Sequence, residues 1–335
     1  MKKIIEPIIK TRKLTVGIFT PSSPDNVMYS QKFDHALNEL VLSGFNFKLG
    51  ELTKNKSFQG YRAGDSEKRA EEFMQLIEDD SVDILMPTAG GEVSSSILSY
   101  LDYGKIRKAR KLITGFSDAS AIHMAILSQS KLKTMYGPSL VPVFGDWPKI
   151  SGYSLNSFFR CIGSSQENLN PPKLSSNQDQ NSSETAWKDK HRVYKNNLGW
   201  KFLRAGSCIG YLLITNLSSL LSLSGTKFFP EIKNKILVLE QSDINLSKQE
   251  RQFNHLKNLN IFRQIKALVI SKSKNNNTEE YQKKYEDIIL EFVDNHKIPI
   301  VMEFDCGHTF PMLSIMQNSL CQISGTNKPE IKLLN

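Results

Sequence analysis

The sequence predicts an α/β protein, with an N-terminal Rossmann-like parallel sheet domain and a second, smaller mixed α/β C-terminal domain. Three observations predict it. In the first half, short apolar runs alternate with helix-period segments, the pattern of parallel strands joined by crossover helices. Two of those runs end in small-residue turns, Pro87-Thr88-Ala89-Gly90-Gly91 and Gly115-Phe116-Ser117, and ligands of open α/β sheets bind beyond strand carboxyl ends. A polar, low-complexity stretch then breaks the rhythm before strands and helices resume in mixed order. The expected division is residues 1–163 as the domain carrying the candidate nucleophile, 164–198 as a polar linker loop, and 199–335 as the C-terminal domain.

The first predicted strand is the apolar run Leu14 to Thr20. Asp25 to Leu42 carries helical spacing through Phe33, Leu37, Leu40 and Val41, and Gly44 is a plausible stop. Phe45 to Leu49 reads as a strand, and Ser66 to Glu78 as a helix burying Phe73, Leu76 and Ile77, with Asp65 as its cap. Ile84 to Met86 and Lys111 to Thr114 are buried strands with a helix between them. Beyond the polar stretch, strands are expected near Ser207–Ile214, Lys235–Gln241, Ala267–Ile270 and Ile298–Met302, and at Leu320–Ile323 and Glu330–Leu333. Helices are expected near Leu217–Leu223, Ser247–Asn258 and Glu279–Asn295.

A chain of 335 residues is long enough for two domains. Its 39% hydrophobic and 23% charged residues are those of a globular protein. Part of the net charge of +9 sits at the start, where Lys2, Lys3, Lys10, Arg12 and Lys13 face only Glu6. No basic stripe interleaved with aromatics and no nucleic-acid motif occurs, so the excess reads as a solvated basic surface. Glu6, Pro7 and Lys10 break any signal-peptide core. The apolar segment Cys208 to Gly225 is interrupted by Asn216 and serines, which favours a buried strand and helix over a membrane span. Cys161, Cys208, Cys306 and Cys321 are scattered, with no Cys-x-x-Cys, so reduced thiols and a cytoplasmic protein are expected.

The stretch Leu112 to Ala121 has the form of a nucleophile elbow: an apolar strand, a glycine, a serine at the turn, then a small-residue helix. A serine placed there attacks a carbonyl if a base lies near. Serine is also a common helix N-cap, so the same residues fit a structural role. Of the histidines, His35, His255 and His296 lie in or at the end of polar helical segments and read as surface residues, His191 lies in the loop, and His123 lies too far along the helix to reach the hydroxyl. His308 follows a strand in a turn bounded by Gly307 and Pro311. Glu240 ends the apolar strand Ile236-Leu237-Val238-Leu239, where a charge is costly without a partner. Ser117, Glu240 and His308 therefore make a candidate nucleophile, orienter and base. A turn histidine bonded to backbone and a strand-end glutamate facing solvent fit the same residues. Glu303, Asp305, Cys306 and His308 are close in sequence, but the spacing matches no standard zinc pattern, and neither metal nor cofactor is expected.

Taken together, the motifs resemble the LD-carboxypeptidase family of serine peptidases, and within it the microcin C immunity branch. The resemblance rests on the order of Gly60-Tyr61-Arg62-Ala63-Gly64, Gly90-Gly91, Ser99-Tyr100-Leu101-Asp102-Tyr103, Gly115-Phe116-Ser117-Asp118-Ala119 and Tyr136-Gly137-Pro138. It continues in Asn216-Leu217, Leu239-Glu240 and Phe304-Asp305-Cys306-Gly307-His308-Thr309. It implies a Ser117–Glu240–His308 triad and an oxyanion hole formed by the N–H groups of Gly91 and Asp118. It also implies Trp187, Asn216 and Glu92 as substrate-binding residues, with Trp187 stacking on a nucleobase. Ile214-Thr215 stands where family members carry Gly-Gly, which is expected to reshape the pocket. The implied protein is a cytoplasmic homodimer acting on a small peptidyl or aminoacyl-nucleotide, with no nucleic-acid or membrane partner. The alternatives are a murein tetrapeptide LD-carboxypeptidase and a non-catalytic small-ligand binding protein on the same scaffold.

Overall fold

The computed structural model describes residues 12–163, 167–178, 186–189, 192–274, 282–293 and 297–334. The basic start through Lys10, His191, His296 and the 164–166 and 179–183 parts of the polar stretch lie outside them.

In the first part of the chain the strands are β1 (Thr15–Phe19), β2 (Asn46–Leu49), β3 (Ile84–Pro87), β4 (Leu112–Gly115) and β5 (Met135–Tyr136). The polar stretch and the residues beyond it contribute β6 (Glu167–Leu169), β7 (Leu174–Ser175), β8 (Lys195–Asn196), β9 (Lys201–Arg204), β10 (Cys208–Asn216) and β11 (Lys235–Glu240). The last are β12 (Ala267–Ser271), β13 (Ile300–Phe304), β14 (Ile315–Met316), β15 (Leu320–Ser324) and β16 (Glu330–Leu333). A six-stranded sheet runs β14-β5-β4-β3-β1-β2, parallel except for β14. An eight-stranded sheet runs β6-β16-β15-β10-β11-β12-β13-β9, with a parallel centre from β10 to β13 and antiparallel flanks. The central strands are largely apolar because both of their faces are covered. Every residue of β3, β4 and β12 is buried.

The two sheets share their cores. Val16, Ile84 and Leu112 of the first pack in one cluster with Ile214, Val238 and Val269 of the second. Phe73, Ile113 and Ile122 join Leu213, Leu237 and Leu268 in another. That packing brings the carboxyl ends of β4 and β11 to one place, which sets the position of the site. Among the described residues no helix is long and apolar enough to cross a membrane.

Several local expectations change. The polar stretch is more than a loop, since it supplies β6 to the larger sheet and the β7–β8 ribbon. The apolar alternation there is too short to stand out from its polar surroundings. The shorter C-terminal part therefore holds the larger sheet. Asp65 does not cap the Ser66–Glu78 helix with its side chain. It accepts from Arg62 instead, at 2.8 Å. His35 is half-buried rather than a surface residue, because its ring packs 5.2 Å from Trp147 and 5.3 Å from Trp187.

Candidate active site

β4 ends at Gly115, whose φ of 141° and close neighbours demand glycine: a Cβ there would lie 2.9 Å from Pro87 Cγ. Phe116 is extended, and Ser117 takes φ 59° before a single 3₁₀ turn leads into the helix Ser120–Ser130. A left-handed conformation costs an L-residue roughly 1–2 kcal/mol, so surrounding contacts must hold it. The Ser117 N–H donates to Tyr136 Oη at 3.2 Å, and Ser120 Oγ donates to Ser117 O at 2.6 Å. Gly115 O accepts from Gly137 N–H at 3.1 Å and from His123 Nε2 at 3.0 Å. Burial pushes the His123 imidazole down to about 4, so it is neutral near pH 7 and braces the turn as a plain donor. His123 does not reach the Ser117 hydroxyl, as the spacing predicts, but supports the strand end two residues earlier.

Glu240 ends β11 opposite Asn216 at the end of β10. Its carboxylate is fully buried and fully engaged. His308 Nδ1 bonds Oε1, while Tyr136 Oη donates to Oε2 at 2.5 Å and Asn216 Nδ2 at 3.3 Å. Burial by itself would raise the Glu240 carboxyl. The charge of His308 and the bonds from His308, Tyr136 and Asn216 outweigh it and hold the group below the usual carboxylate range. Gly307, at φ 131°, lets the turn press onto this acid, since a Cβ there would lie 2.3 Å from Glu240 Cγ. The edge of Phe116 against His308, 5.2 Å between centroids, fixes the imidazole from the elbow side. The neighbouring residues of that segment point elsewhere. Asp305 accepts from Lys272 Nζ at 2.6 Å and Trp200 Nε1 at 2.9 Å, and Cys306 is buried. Among the described residues no group of three or more His, Cys, Asp or Glu side chains is arranged to hold a metal ion.

The turn after β3 closes over the serine. A Cβ on Gly90 would lie 3.1 Å from Ser117 Cβ and 3.4 Å from the Asp118 nitrogen. Gly91, at φ 141°, has no room for a side chain beside Ser22. Ser22 Oγ accepts from the N–H groups of Glu92 and Val93 at 3.1 and 3.0 Å. The fully buried Arg69 ties this turn down, donating to Pro21 O, to Val93 O at 3.1 Å and to Ser96 Oγ at 2.8 Å. Asp118 Oδ2 accepts from Ser94 N–H at 2.9 Å, which orients the residue after the serine.

Ser117 and His308 line one cavity of about 220 Å³ with Gly90, Gly91, Asp25, Arg192, Lys274 and Phe310. No hydrogen bond joins the hydroxyl to the imidazole, a looseness common in ligand-free catalytic sites. Arg192 is fixed there by Asp146 at 2.6 Å and lies 3.7 Å over the Phe310 ring. Asp25 accepts from Ser23 Oγ at 2.5 Å, and burial raises its carboxyl to about 6 against the pull of that bond and of Lys32.

Residues 16–137 match the LD-carboxypeptidase N-terminal domain and residues 209–323 the LD-carboxypeptidase C-terminal domain. The chain belongs to the LD-carboxypeptidase family. It is similar to a Vibrio cholerae protein named as a carboxypeptidase, 33% identical over 89% of this chain and 88% of that one. It is also similar to the microcin C7 self-immunity protein MccF of Escherichia coli, 31% identical over 94% and 91%. The solved structure of MccF in complex with aspartyl sulfamoyl adenosine matches with a TM-score of 0.89 and 29% identity over 97% of both chains. The chain is thus a serine carboxypeptidase or amidohydrolase of this family.

Against that family pattern, the structure gathers Ser117, Glu240, His308, Gly91 and Asp118 at one place. Asn216 is there too, but its amide faces Glu240 and caps the helix Leu217–Ser222 rather than lining the cavity. Glu92 is exposed and lies off the cavity wall. Ile214 and Thr215 are fully buried and do not line the cavity, and Thr215 Oγ1 reaches Ser120 Oγ at 3.4 Å. Trp187 does not line the Ser117 cavity either. Its ring is 1% exposed, packs edge-on 5.4 Å from Trp147 and against His35, and is not among the residues lining the Ser117 cavity. Losing a buried Trp costs about 3–5 kcal/mol. Trp187→Ala is therefore expected to lower the melting temperature and to depress turnover equally on adenosine-bearing and base-free substrates. A loss at least tenfold greater on the adenosine conjugate would mean that the ring meets the base. Tyr136, Asp25, Arg192 and Lys274 escaped sequence reasoning as site residues, and His123 was weighed only as a base. Among the first four, Tyr136 left a trace in the Tyr136-Gly137-Pro138 turn that follows the elbow helix.

Proposed function

We propose that the chain cleaves an acyl–nitrogen bond in a small aminoacyl or peptidyl conjugate, of the peptidyl-nucleotide kind, with Ser117 as nucleophile, His308 as base and Glu240 as its orienter. The observation that carries this is that His308, held from behind by the buried Glu240, shares one cavity with a serine held in a left-handed turn. With Nδ1 engaged by Glu240, the other imidazole nitrogen is left for the Ser117 proton. Ser117 Oγ attacks the acyl carbonyl as His308 takes its proton. The N–H groups of Gly91 and Asp118 receive the oxyanion, a contribution of about 3–4 kcal/mol for each donor. His308 then protonates the leaving nitrogen, and water, deprotonated by the same imidazole, releases the acid from the ester.

The cavity favours a small acyl part. At about 220 Å³ it is below the roughly 300–1,000 Å³ of pockets that enclose drug-sized ligands, so a nucleoside would extend outside it. Arg192 and Lys274 on its wall suit an anionic group beside the scissile bond. The experiment is a paired assay of aspartyl sulfamoyl adenosine and a murein tetrapeptide, with fluorophosphonate labelling of Ser117. Labelling and release of aspartate at ten times or more the kcat/KM of the tetrapeptide are expected. Preference for the tetrapeptide would make the chain a murein LD-carboxypeptidase. Neither labelling nor cleavage would leave the scaffold as a binding protein.

A further inference from the structure

We propose that Tyr136 is a positioning residue that couples the backbone of the nucleophile to the orienting acid through one phenol. The proposal rests on the Ser117–His308–Glu240 reading above. Tyr136 stands on β5 in register with Gly115 on β4, beside the strand end from which the elbow springs. Its fully buried hydroxyl accepts the Ser117 N–H at 3.2 Å and donates to Glu240 Oε2 at 2.5 Å, while Oε1 of the same carboxylate holds His308 Nδ1. A single path of hydrogen bonds therefore runs from the nucleophile's own nitrogen to the base, through groups with no access to water.

The geometry has two consequences. The Ser117 N–H is consumed by the phenol and is not a donor to the substrate oxygen, so that task falls to the N–H of the next residue and to the glycine turn. The second carboxylate oxygen is held, so Glu240 cannot rotate away from His308 without breaking a bond in a dry interior. The donor state of Tyr136 is secure, because burial and the Glu240 charge push its phenol well above the usual tyrosine range. The other titratable groups facing this path are Cys306, whose thiol burial and the Glu240 charge push upward, and His123, neutral near pH 7. Neither changes charge between pH 5 and 8.

Tyr136→Phe removes both bonds and keeps the ring. With aspartyl sulfamoyl adenosine as substrate, the variant is expected to lose about 10- to 100-fold in kcat, the effect of losing a hydrogen bond to a charged group, with KM within about twofold. The acid limb of its pH profile should move to higher pH. Glu240 loses a donor that favours its ionised form. Fluorotyrosines at position 136 keep the shape and both bonds. They should retain kcat near neutral pH and move the acid limb the opposite way as the phenol becomes a stronger donor. A Tyr136→Phe protein that only melts earlier, with kcat and acid limb unchanged, would overturn the proposal. Should that variant not fold, a fluorotyrosine series with a fixed acid limb would overturn it equally. If the parent protein itself neither labels with fluorophosphonate nor turns over, the serine-hydrolase reading fails first and this one falls with it.

Discussion

Ser117→Ala is expected to lower kcat by about 10⁴–10⁶, the scale seen when a triad nucleophile is removed, while leaving the fold and ligand binding in place. Ser117 lines the cavity, and the bonds that hold the turn come from its backbone N–H and C=O rather than from the hydroxyl. Those bonds survive truncation to alanine. Binding of a non-hydrolysed conjugate, measured by calorimetry beside single-turnover kinetics, should change by less than about threefold. A companion variant tests the strain. Ser117 sits at φ 59°, so Ser117→Gly should be as inactive as alanine yet more stable than the parent by about 1 kcal/mol. More than about a tenth of parental turnover in either variant would remove Ser117 from the nucleophile's role.

Glu240→Gln should be the next most damaging change, with kcat down by about 10³–10⁴ at little cost in KM, as when a triad acid becomes an amide. Glu240 accepts from His308 on one oxygen and from Tyr136 and Asn216 on the other. An amide in its place has one oxygen and one NH₂. If the oxygen stays with Tyr136 and Asn216, the NH₂ faces His308 Nδ1. The imidazole must then carry its proton on the nitrogen that faces the serine, where it is useless as a base. The same carboxylate sets the sign of a pH effect on stability. The Glu240 carboxyl is held below its ordinary value of 4.5, so its ionised form stabilises the native state above that pH. That contribution is lost as pH falls through the lowered value. Melting curves from pH 3 to 6 should show the parent losing stability on acidification more steeply than Glu240→Gln. Equal slopes would mean that the carboxylate is not held by its partners.

Much of the fold was legible because it is written over short stretches of chain. The strands Ile84–Pro87 and Leu112–Gly115 announce themselves as apolar runs ending in small residues, and Phe33, Leu40, Phe73 and Leu76 mark the inner faces of their helices. The β6, β7 and β8 strands did not, since two or three residues of alternation vanish in a polar context. The helix Gly152–Gly163, just before that context, was missed as well.

By itself the sequence determined the α/β class, the strand-turn-helix around Ser117 and the presence of an acid and a histidine at strand ends in the second half. Each depends on a few neighbouring residues: steric limits at Gly115 and Gly307, an apolar run closing on a charge, the period of a buried face. Only the tertiary structure decided which groups meet. His308 and Glu240 are 68 positions apart, Tyr136 and Glu240 are 104 apart, and the register of β4 with β5 alone sets the phenol beside the elbow. It also decided that Trp187 lies buried against Trp147 and that Ile214 and Thr215 are fully buried and do not line the cavity. Such outcomes depend on how two sheets share a core, and the energy that selects them is spread over contacts between residues far apart in the chain.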